Sequence, residues 1–385
     1  MGINKFVMPE VIFGNGSISQ IGESCLRLGA KKVFIVSDPN VIQTNWYNEI
    51  TKSIEQAGLH YVNYNELTIN PKDFEVEKGT QSYLENECDA VIGVGGGSTI
   101  DVAKGIAILS TNEGTIQSFE GIDKITTPLP PQIMIPTTAG SGSEVSQFTI
   151  LVDSTRKIKM TIVSKSLVPD IAIIDPSVLS TKDAQLTAST GLDVLTHAIE
   201  AFVSVASTPL TDVHAQNAIS LVADYLRPSV ASKLNIEAKT KMAMASLQAG
   251  LAFSNAILGA VHAMSHAVGG RFDMLHGEVN AVLLPYVMEY NLLACPDKFA
   301  HIAQLLGEDI QGLTSIEAGR TAVAFVRDLS IDIGAPQRLS DMGLKEDLEA
   351  YIPELSQVAL NDACMITNPR DIFLKDVDSL FRQAL

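Results

Sequence analysis

Up to about residue 180 this chain alternates short apolar runs with helical stretches, and after Thr181 the apolar runs stop. "KKVFIVSD" (31–38) reads as a buried strand ending at a turn, Asp38-Pro39. "AVIGVGGGS" (90–98), "QIMIPTTAGSGSE" (132–144) and "PDIAIIDPSVLS" (169–180) read as three more, with helical segments such as 41–57 and 98–110 between them. Strand and helix in alternation predict a parallel sheet covered on both faces. From 181 on, "AQLTASTGLDVLTHAIEAFVS", "VHAQNAISLVADYLRP" and "IEAKTKMAMASLQAGLAFSNA" keep their apolar residues at helical spacing. The expectation is an α/β domain over 1–180 and an all-helical domain over 181–385. Two domains of different class normally leave a cleft, which is a default place for a ligand.

Composition narrows the class. Hydrophobic residues make up 46% and charged residues 18% of 385, the balance of a globular protein with a sizeable core. The net charge is −17 with no run of Lys or Arg, so the basic patch that sequence-independent nucleic-acid binding needs is missing. The start, "MGINKFVMPEVIFGNGS", lacks the basic and apolar regions of a signal peptide, and Gly2 is not in a myristoylation context. No apolar run approaches the roughly 18 residues of a membrane span. Cys25, Cys88, Cys295 and Cys364 are scattered without a C-x-x-C, which argues against a disulfide framework or a thiolate metal site. A cytoplasmic protein without membrane or nucleic-acid partners is expected.

Two loops have the chemistry to hold a nucleotide. In "VIGVGGGSTIDVAKGIAIL" a strand runs into Gly95, Gly96 and Gly97, and a helix is expected to start at Ser98, with Ser98 as N-cap and Asp101 completing a capping-box-like pair. Glycine lets a ligand approach the backbone, and the helix start offers N–H groups to a pyrophosphate; a tight turn without a ligand has the same sequence. Gly93-Val-Gly95 begins a G-x-G-x-x-G pattern, but Ser98 stands where the third glycine belongs, and the best-placed acid, Asp38, lies upstream. A standard Rossmann order is therefore excluded. Asp38 suits a ribose diol and would repel a 2′-phosphate, favouring NAD over NADP, or else it is simply a turn acid before Pro39. In "IPTTAGSGSE" (135–144), Thr137, Thr138 and Ser141 can donate to phosphate or ribose oxygens.

The chain has seven histidines, and three of them stand in "GAVHAMSHAVGGRFDMLHGEVNAVLLP" (259–285). "GLDVLTHAIEAF" puts Asp193 and His197 four residues apart on one helix face, and "HAMSH" does the same for His262 and His266. His276 follows Gly269-Gly270, where the backbone is expected to break and fold back. Asp193, His197, His262 and His276 together would make a site of one oxygen and three nitrogens, suited to Fe²⁺, Zn²⁺, Mn²⁺ or Ni²⁺. A single histidine on an apolar helix is more often a satisfied core residue, and spacing alone does not show convergence. A dication there would act as a Lewis acid on a substrate oxygen, with NAD⁺ accepting hydride. His266 is assigned, as a hypothesis, to proton relay beside the metal.

These motifs resemble the iron-containing (group III) alcohol dehydrogenases, which share a fold with dehydroquinate synthase and glycerol dehydrogenase. The resemblance runs from "FVMPEVIFGNGS" almost to the C-terminus and is most specific in "GVGGGSTIDVAKGIA", "IPTTAGSGSEVS", "GLDVLTHAIEAFVS" and "HAMSHAVGG…LHGEVNAVLLPYV". It implies a dehydroquinate synthase-like architecture: a Rossmann-like α/β NAD-binding domain of non-standard strand order, followed by an all-helical metal domain. It places the metal ligands on Asp193, His197, His262 and His276, the pyrophosphate loop on Gly95, Gly96, Gly97 and Ser98, and the second nucleotide loop on Thr137, Thr138 and Ser141. Asp38 matches its ribose-reading acid, Asn70 and Lys159 match other positions near the cofactor, and His266 its metal-proximal histidine. The four-ligand set favours Fe²⁺, with Zn²⁺ as competitor. Arg271 and Asp273, just before His276, stand where many members have an uncharged segment; narrowing of the pocket, binding of an acidic substrate and an internal ion pair are all open. The expected activity is NAD-linked interconversion of a primary alcohol or small diol and its aldehyde, in a homodimer or larger homo-oligomer, with "FVMPEVIFG" available to pair across an interface. Other redox reactions on the same scaffold (hydroxyacid–oxoacid transhydrogenation, keto-acid reduction) and a regulatory protein with slight turnover are the alternatives.

Overall fold

The computed structural model describes residues 5–68, 70–272, 274–343 and 348–385. Asp273 lies outside the described residues. The chain forms two compact units: Val7–Thr138 with Gly142–Ser180, and Thr181–Leu385 with Ala139–Ser141 and the N-terminal residues up to Phe6.

The first unit runs β1 (Glu10–Phe13), α1 (Ile21–Arg27), β2 (Lys32–Ser37), α2 (Asn45–Gln56), β3 (His60–Tyr64), α3 (Asp73–Glu85), β4 (Ala90–Gly95), α4 (Gly97–Thr111), β5 (Gly121–Ile122), β6 (Gln132–Pro136), β7 (Phe148–Asp153), β8 (Ile158–Val163) and β9 (Ile171–Ile174). Six strands form a parallel sheet in the order β1-β9-β6-β4-β2-β3. Helix α2 carries the crossover from β2 to β3 and α4 the one from β4 to β6, whereas β6 reaches its parallel neighbour β9 through β7 and β8. Side chains alternate between two apolar clusters, one per face. Phe34, Val36, Val91 and Met134 enter one, and Val33, Ile35, Ile92 and Ile133 the other. Burial on both faces is why these strands read as continuous apolar runs rather than alternating ones.

Two features of this unit go beyond the sequence reading. The "FVMPEVIFG" segment pairs with the chain's own β9, Glu10 opposite Ile171. A second sheet, β5-β8-β7, includes an antiparallel pair, β7 with β8. Its turn is closed by Asp153, whose Oδ1 accepts from the Thr155 and Arg156 N–H groups at 2.9 and 2.8 Å. Such an acid-led turn between β-rich runs is a hairpin signal.

The second unit is helical among the described residues: α5 (Ala184–Val203), α6 (Pro209–Ala231), α7 (Ile236–Ala256), α8 (Ala260–Phe272), α9 (His276–Asn291), α10 (Pro296–Leu305), α11 (Ser315–Asp332), α12 (Leu348–Leu360) and α13 (Leu374–Ala384). Asp183 caps α5 by accepting from Leu186 N–H at 2.7 Å. The helices α7 and α8 meet at 99°. Gly269 and Gly270 do not break the chain: α8 continues through them to Phe272. Glycine costs an interior helix position only about 1 kcal/mol, and the packing of a buried helix outweighs that. Among the described residues no single helix is long and apolar enough to cross a membrane.

Candidate metal centre and nucleotide loops

On α5, Asp193 and His197 share a face and are both buried. His197 Nε2 lies 4.0 Å from Asp193 Oδ1, and His262 Nε2, from α8, lies 3.8 Å from the same oxygen. The His197 and His262 rings stack with centroids 4.5 Å apart. His276, the first residue of α9, brings its ring to 5.2 Å from that of His262. One ligand atom each from Asp193, His262 and His276 fall within 4.8 Å of one another.

These separations are too long for hydrogen bonds and too short for chance. Two ligands of one first-row dication, each roughly 2.1 Å from it, lie roughly 3–4 Å apart. The Asn280 side chain sits among these atoms. Its Nδ2 stands 2.7 Å from Asp193 Oδ1 and 3.2 Å from both His262 Nε2 and His276 Nε2. An amide has two protons and cannot serve three acceptors. Its own Oδ1 is buried with no hydrogen-bond partner. Acceptors that outnumber donors around one buried point are what a cation would relieve, so the residues fit a divalent metal.

The rings are held from behind. His262 Nδ1 faces Glu200 Oε2 at 2.6 Å, and His276 Nδ1 faces Ser265 Oγ at 2.9 Å. Burial pushes His197 down to about 4, with the Asp193 charge opposing, so its imidazole is neutral at physiological pH. His266 stacks on His276 with centroids 5.3 Å apart, and its Nδ1 lies 2.8 Å from Asp362 Oδ2. Its other nitrogen, Nε2, is buried without a hydrogen-bond partner. Burial raises the Asp362 carboxyl, but the His266 imidazole and the Cys364 N–H outweigh it and hold the group at about 2. Arg271 lays its guanidinium over the Tyr351 ring, 4.6 Å from the centroid.

Glu200, Asn280, Ser265 and Asp362 were not singled out from sequence. One signal was there: Asp193, His197 and Glu200 follow i, i+4, i+7 spacing on an otherwise apolar helix. Asn280 likewise stands four residues after His276.

In the α/β unit the two hydroxyl and glycine loops come together. The Gly95 carbonyl accepts from the Thr137 N–H at 2.9 Å. Helix α4 begins at Gly97, with Gly96 as N-cap and no side-chain cap, so Ser98 lies within the first turn and does not cap it. Asp101 does not complete a box either. It faces the Ile150 N–H, the Ser143 hydroxyl and the charges of Lys104 and Lys159. Burial draws it there: the cluster neutralises Lys104, which is fully buried and donates to the carbonyls of Ser146 and Phe148 at 2.6 and 3.0 Å. A Cβ on Gly95 would strike Thr99 at 2.3 Å, whereas one on Gly96 would meet nothing nearer than Thr138 Oγ1 at 3.5 Å. The uncapped helix start has room for a ligand group, and Thr137 Oγ1 beside it is buried without a partner. A phosphate fits both observations.

Asp38, at the end of β2, accepts from the Asn40 N–H through Oδ1 at 2.6 Å, so it closes its own turn. Asn70 is buried, and its carbonyl accepts from Thr68 and Lys72. Lys159 lies on β8. Ser141 belongs with the helical unit, where the neighbouring Gly140 packs so closely on α5 that a Cβ would meet Thr190 Cβ at 2.8 Å.

A family model described as "Iron-containing alcohol dehydrogenase" matches residues 9–176, and one described as "Fe-containing alcohol dehydrogenase family, C-terminal" matches 187–385. The chain is 44% identical over 382 residues to the 1,3-propanediol dehydrogenase of Klebsiella pneumoniae, covering 98% of each. It is 38% identical over 382 residues to the NAD-dependent methanol dehydrogenase of Bacillus methanolicus, covering 99% of this chain and 100% of that one. A solved structure described as 1,3-propanediol oxidoreductase superposes with a TM-score of 0.97 at 42% identity, covering 100% of both chains.

Proposed function

The chain belongs to the iron-containing alcohol dehydrogenase family, an oxidoreductase family acting on alcohols, and on that premise we propose that it interconverts a primary alcohol or small diol and its aldehyde with NAD(H). In this reading Asp193, His197, His262 and His276 hold one Fe²⁺, with Zn²⁺ as competitor. The observation that carries it is the set of acceptors from α5, α8 and α9 gathered around the Asn280 amide nitrogen. The all-nitrogen-and-oxygen donor set suits either ion. A dication supplies Lewis-acid polarisation of the substrate oxygen, and NAD⁺ is the hydride acceptor.

The chain's own residues do the rest. Asp362 holds the Nδ1 side of His266, which leaves Nε2 to take the alcohol proton or return it to the aldehyde reduction. Residues 1–180 serve as the NAD-binding domain and 181–385 as the metal-binding domain. Gly95, Gly96, Gly97 and Ser98 present the α4 N-terminus to the pyrophosphate. Thr137, Thr138 and Ser141 donate hydroxyls to nucleotide oxygens. Asp38 offers its second carboxylate oxygen to the ribose diol, which selects NAD. Asn70 and Lys159 serve as further positions near the cofactor. The relatives' names direct attention to small diols and short primary alcohols. We also assign the protein to the cytoplasm, as a homodimer or larger homo-oligomer.

Following NADH absorbance with a panel of small alcohols, diols and aldehydes, after anaerobic Fe²⁺ loading, tests the reading. Turnover of at least one 1,3-diol or primary alcohol, lost on chelation and restored by Fe²⁺, is expected. Tight NADH binding with no turnover on any member would overturn it in favour of a regulatory role.

A further inference from the structure

Glu200 is buried on α5, one helical step beyond His197, and the chain gives its carboxylate an unusual number of donors. Oε1 accepts from the Val261 N–H at 2.7 Å, and Oε2 accepts from the His262 N–H at 3.4 Å. The Gly259 N–H also donates to the group. Oε2 faces His262 Nδ1 at 2.6 Å. One side chain therefore meets the opening N–H groups of α8 and the rear of a ring carried by that helix.

The backbone before α8 is bent to allow this. Ile257 has φ 61°, a conformation that costs a β-branched residue about 1–3 kcal/mol and persists only where its surroundings enforce it. The enforcing contacts are visible. Ser204 Oγ donates to the Ala256 carbonyl at 2.6 Å, Thr367 Oγ1 donates to the Leu258 carbonyl at 2.5 Å, and Asn368 Oδ1 accepts from the Ala260 N–H at 3.3 Å. Gly259 is required at the crossing, because a Cβ there would stand 2.9 Å from Glu200 Oε1 and 3.1 Å from Asn368 Oδ1.

We infer that Glu200 is a positioning residue for the metal centre: it keeps the proton of His262 on Nδ1, so that Nε2 presents a lone pair toward Asp193 and His276. The physical reason is geometric: both oxygens already accept from backbone N–H groups, so the group faces Nδ1 as an acceptor, and a neutral imidazole has one N–H to give it. Pairing Nδ1–H with a carboxylate fixes the tautomer, fixes the ring plane and raises the basicity of the opposite nitrogen. The helix start adds a second hold, because the carboxylate also neutralises the positive end of α8. The inference rests on the metal reading given above.

The substitution Glu200→Gln separates positioning from mere packing. It keeps the volume and one accepting oxygen but places an NH₂ where a second acceptor stood. If the amide keeps its oxygen on the α8 N–H groups, its NH₂ donates to Nδ1 and drives the His262 proton to Nε2. If it turns over, two donors face each other at the helix start. Two measurements on the full-length protein read the result: imidazole ¹⁵N NMR of the metal-free chain, with His262→Asn assigning the signals, and the Fe²⁺ dissociation constant by anaerobic chelator competition. In the wild type the His262 proton is expected on Nδ1. In Glu200→Gln the Fe²⁺ dissociation constant should rise about ten- to a hundredfold.

A wild-type His262 protonated at Nε2 overturns the inference. So does a Gln variant that melts lower yet binds Fe²⁺ as the wild type does. Should the variant not fold, the wild-type spectrum alone still decides the tautomer. Failure of the metal reading looks different: the wild type would show no saturable Fe²⁺ binding, or binding that Asp193→Ala leaves unchanged, whatever the tautomer.

Discussion

An imidazole can ligate only through a nitrogen that carries no proton, so each candidate ligand depends on what stands behind it. For His262 that is Glu200, and for His276 it is Ser265. For His197 it is burial, which keeps the ring neutral above a pH of about 4. His266 differs, since Asp362 takes one nitrogen and nothing takes the other. Two substitutions then separate in their effects. Asp193→Asn should lower bound iron and turnover together, because it removes the one carboxylate of the proposed ligand set. His266→Ala should leave bound iron nearly intact while lowering kcat by about a hundredfold or more, the usual worth of a positioned acid–base group. Metal analysis alongside steady-state kinetics checks both, and iron loss with His266→Ala removes the proton assignment. The pairs Asp193/His197 and His262/His266 were readable because each obeys the four-residue spacing of a single helix. Asp362 was not, since its partner lies 96 residues away in sequence; for Glu200 the helical phase with Asp193 and His197 was there, but the partner that gives it a role lies 62 residues on.

At the scale of elements, the site depends on how closely α9 approaches α5. Gly277, one residue after His276, has no room for a side chain: a Cβ would stand 2.5 Å from the Ser189 carbonyl oxygen, a backbone atom that cannot turn away. Gly277→Ala should therefore cost about 1–3 kcal/mol, as overpacking does, and weaken iron binding by displacing His276. Thermal melting and chelator competition would show it; unchanged values for both would mean that α9 is not held there. Strands β2, β4, β6 and β9 were legible because burial on both faces makes them apolar throughout. Strand β3, "HYVNY", sits at the sheet edge with mixed exposure and lacks that signature. The α4 cap lies two residues before the one the sequence suggests, because Ser98 is a good N-cap type, whereas glycine at the actual cap leaves the helix start bare.

For the whole molecule, burial of neutral acids predicts an alkaline limit to stability. Burial pushes Cys25 and Tyr83 up to about 12 and Cys88 and Cys295 up to about 11. Below pH 9 both folded and unfolded chains keep these protons. Above it the unfolded cysteines, and above about pH 10 the unfolded tyrosine, release protons that the native chain retains, so stability falls with rising pH by about 1.4 kcal/mol per pH unit for each group, up to about pH 11 for Cys88 and Cys295 and about pH 12 for Cys25 and Tyr83. Urea midpoints at pH 8 and pH 11 would record the drop, and equal midpoints would contradict it. The division into an α/β and a helical part was visible as a change of periodicity near Thr181, whereas the gathering of imidazoles is a tertiary fact that periodicity does not contain. The most direct test is iron K-edge X-ray absorption of the full-length protein purified without oxygen. The account predicts one iron per chain in a shell of nitrogen and oxygen at roughly 2.0–2.2 Å, with scattering from three imidazole rings. A chain without iron, or a sulfur neighbour at about 2.3 Å placing the metal at Cys364 instead, would contradict it.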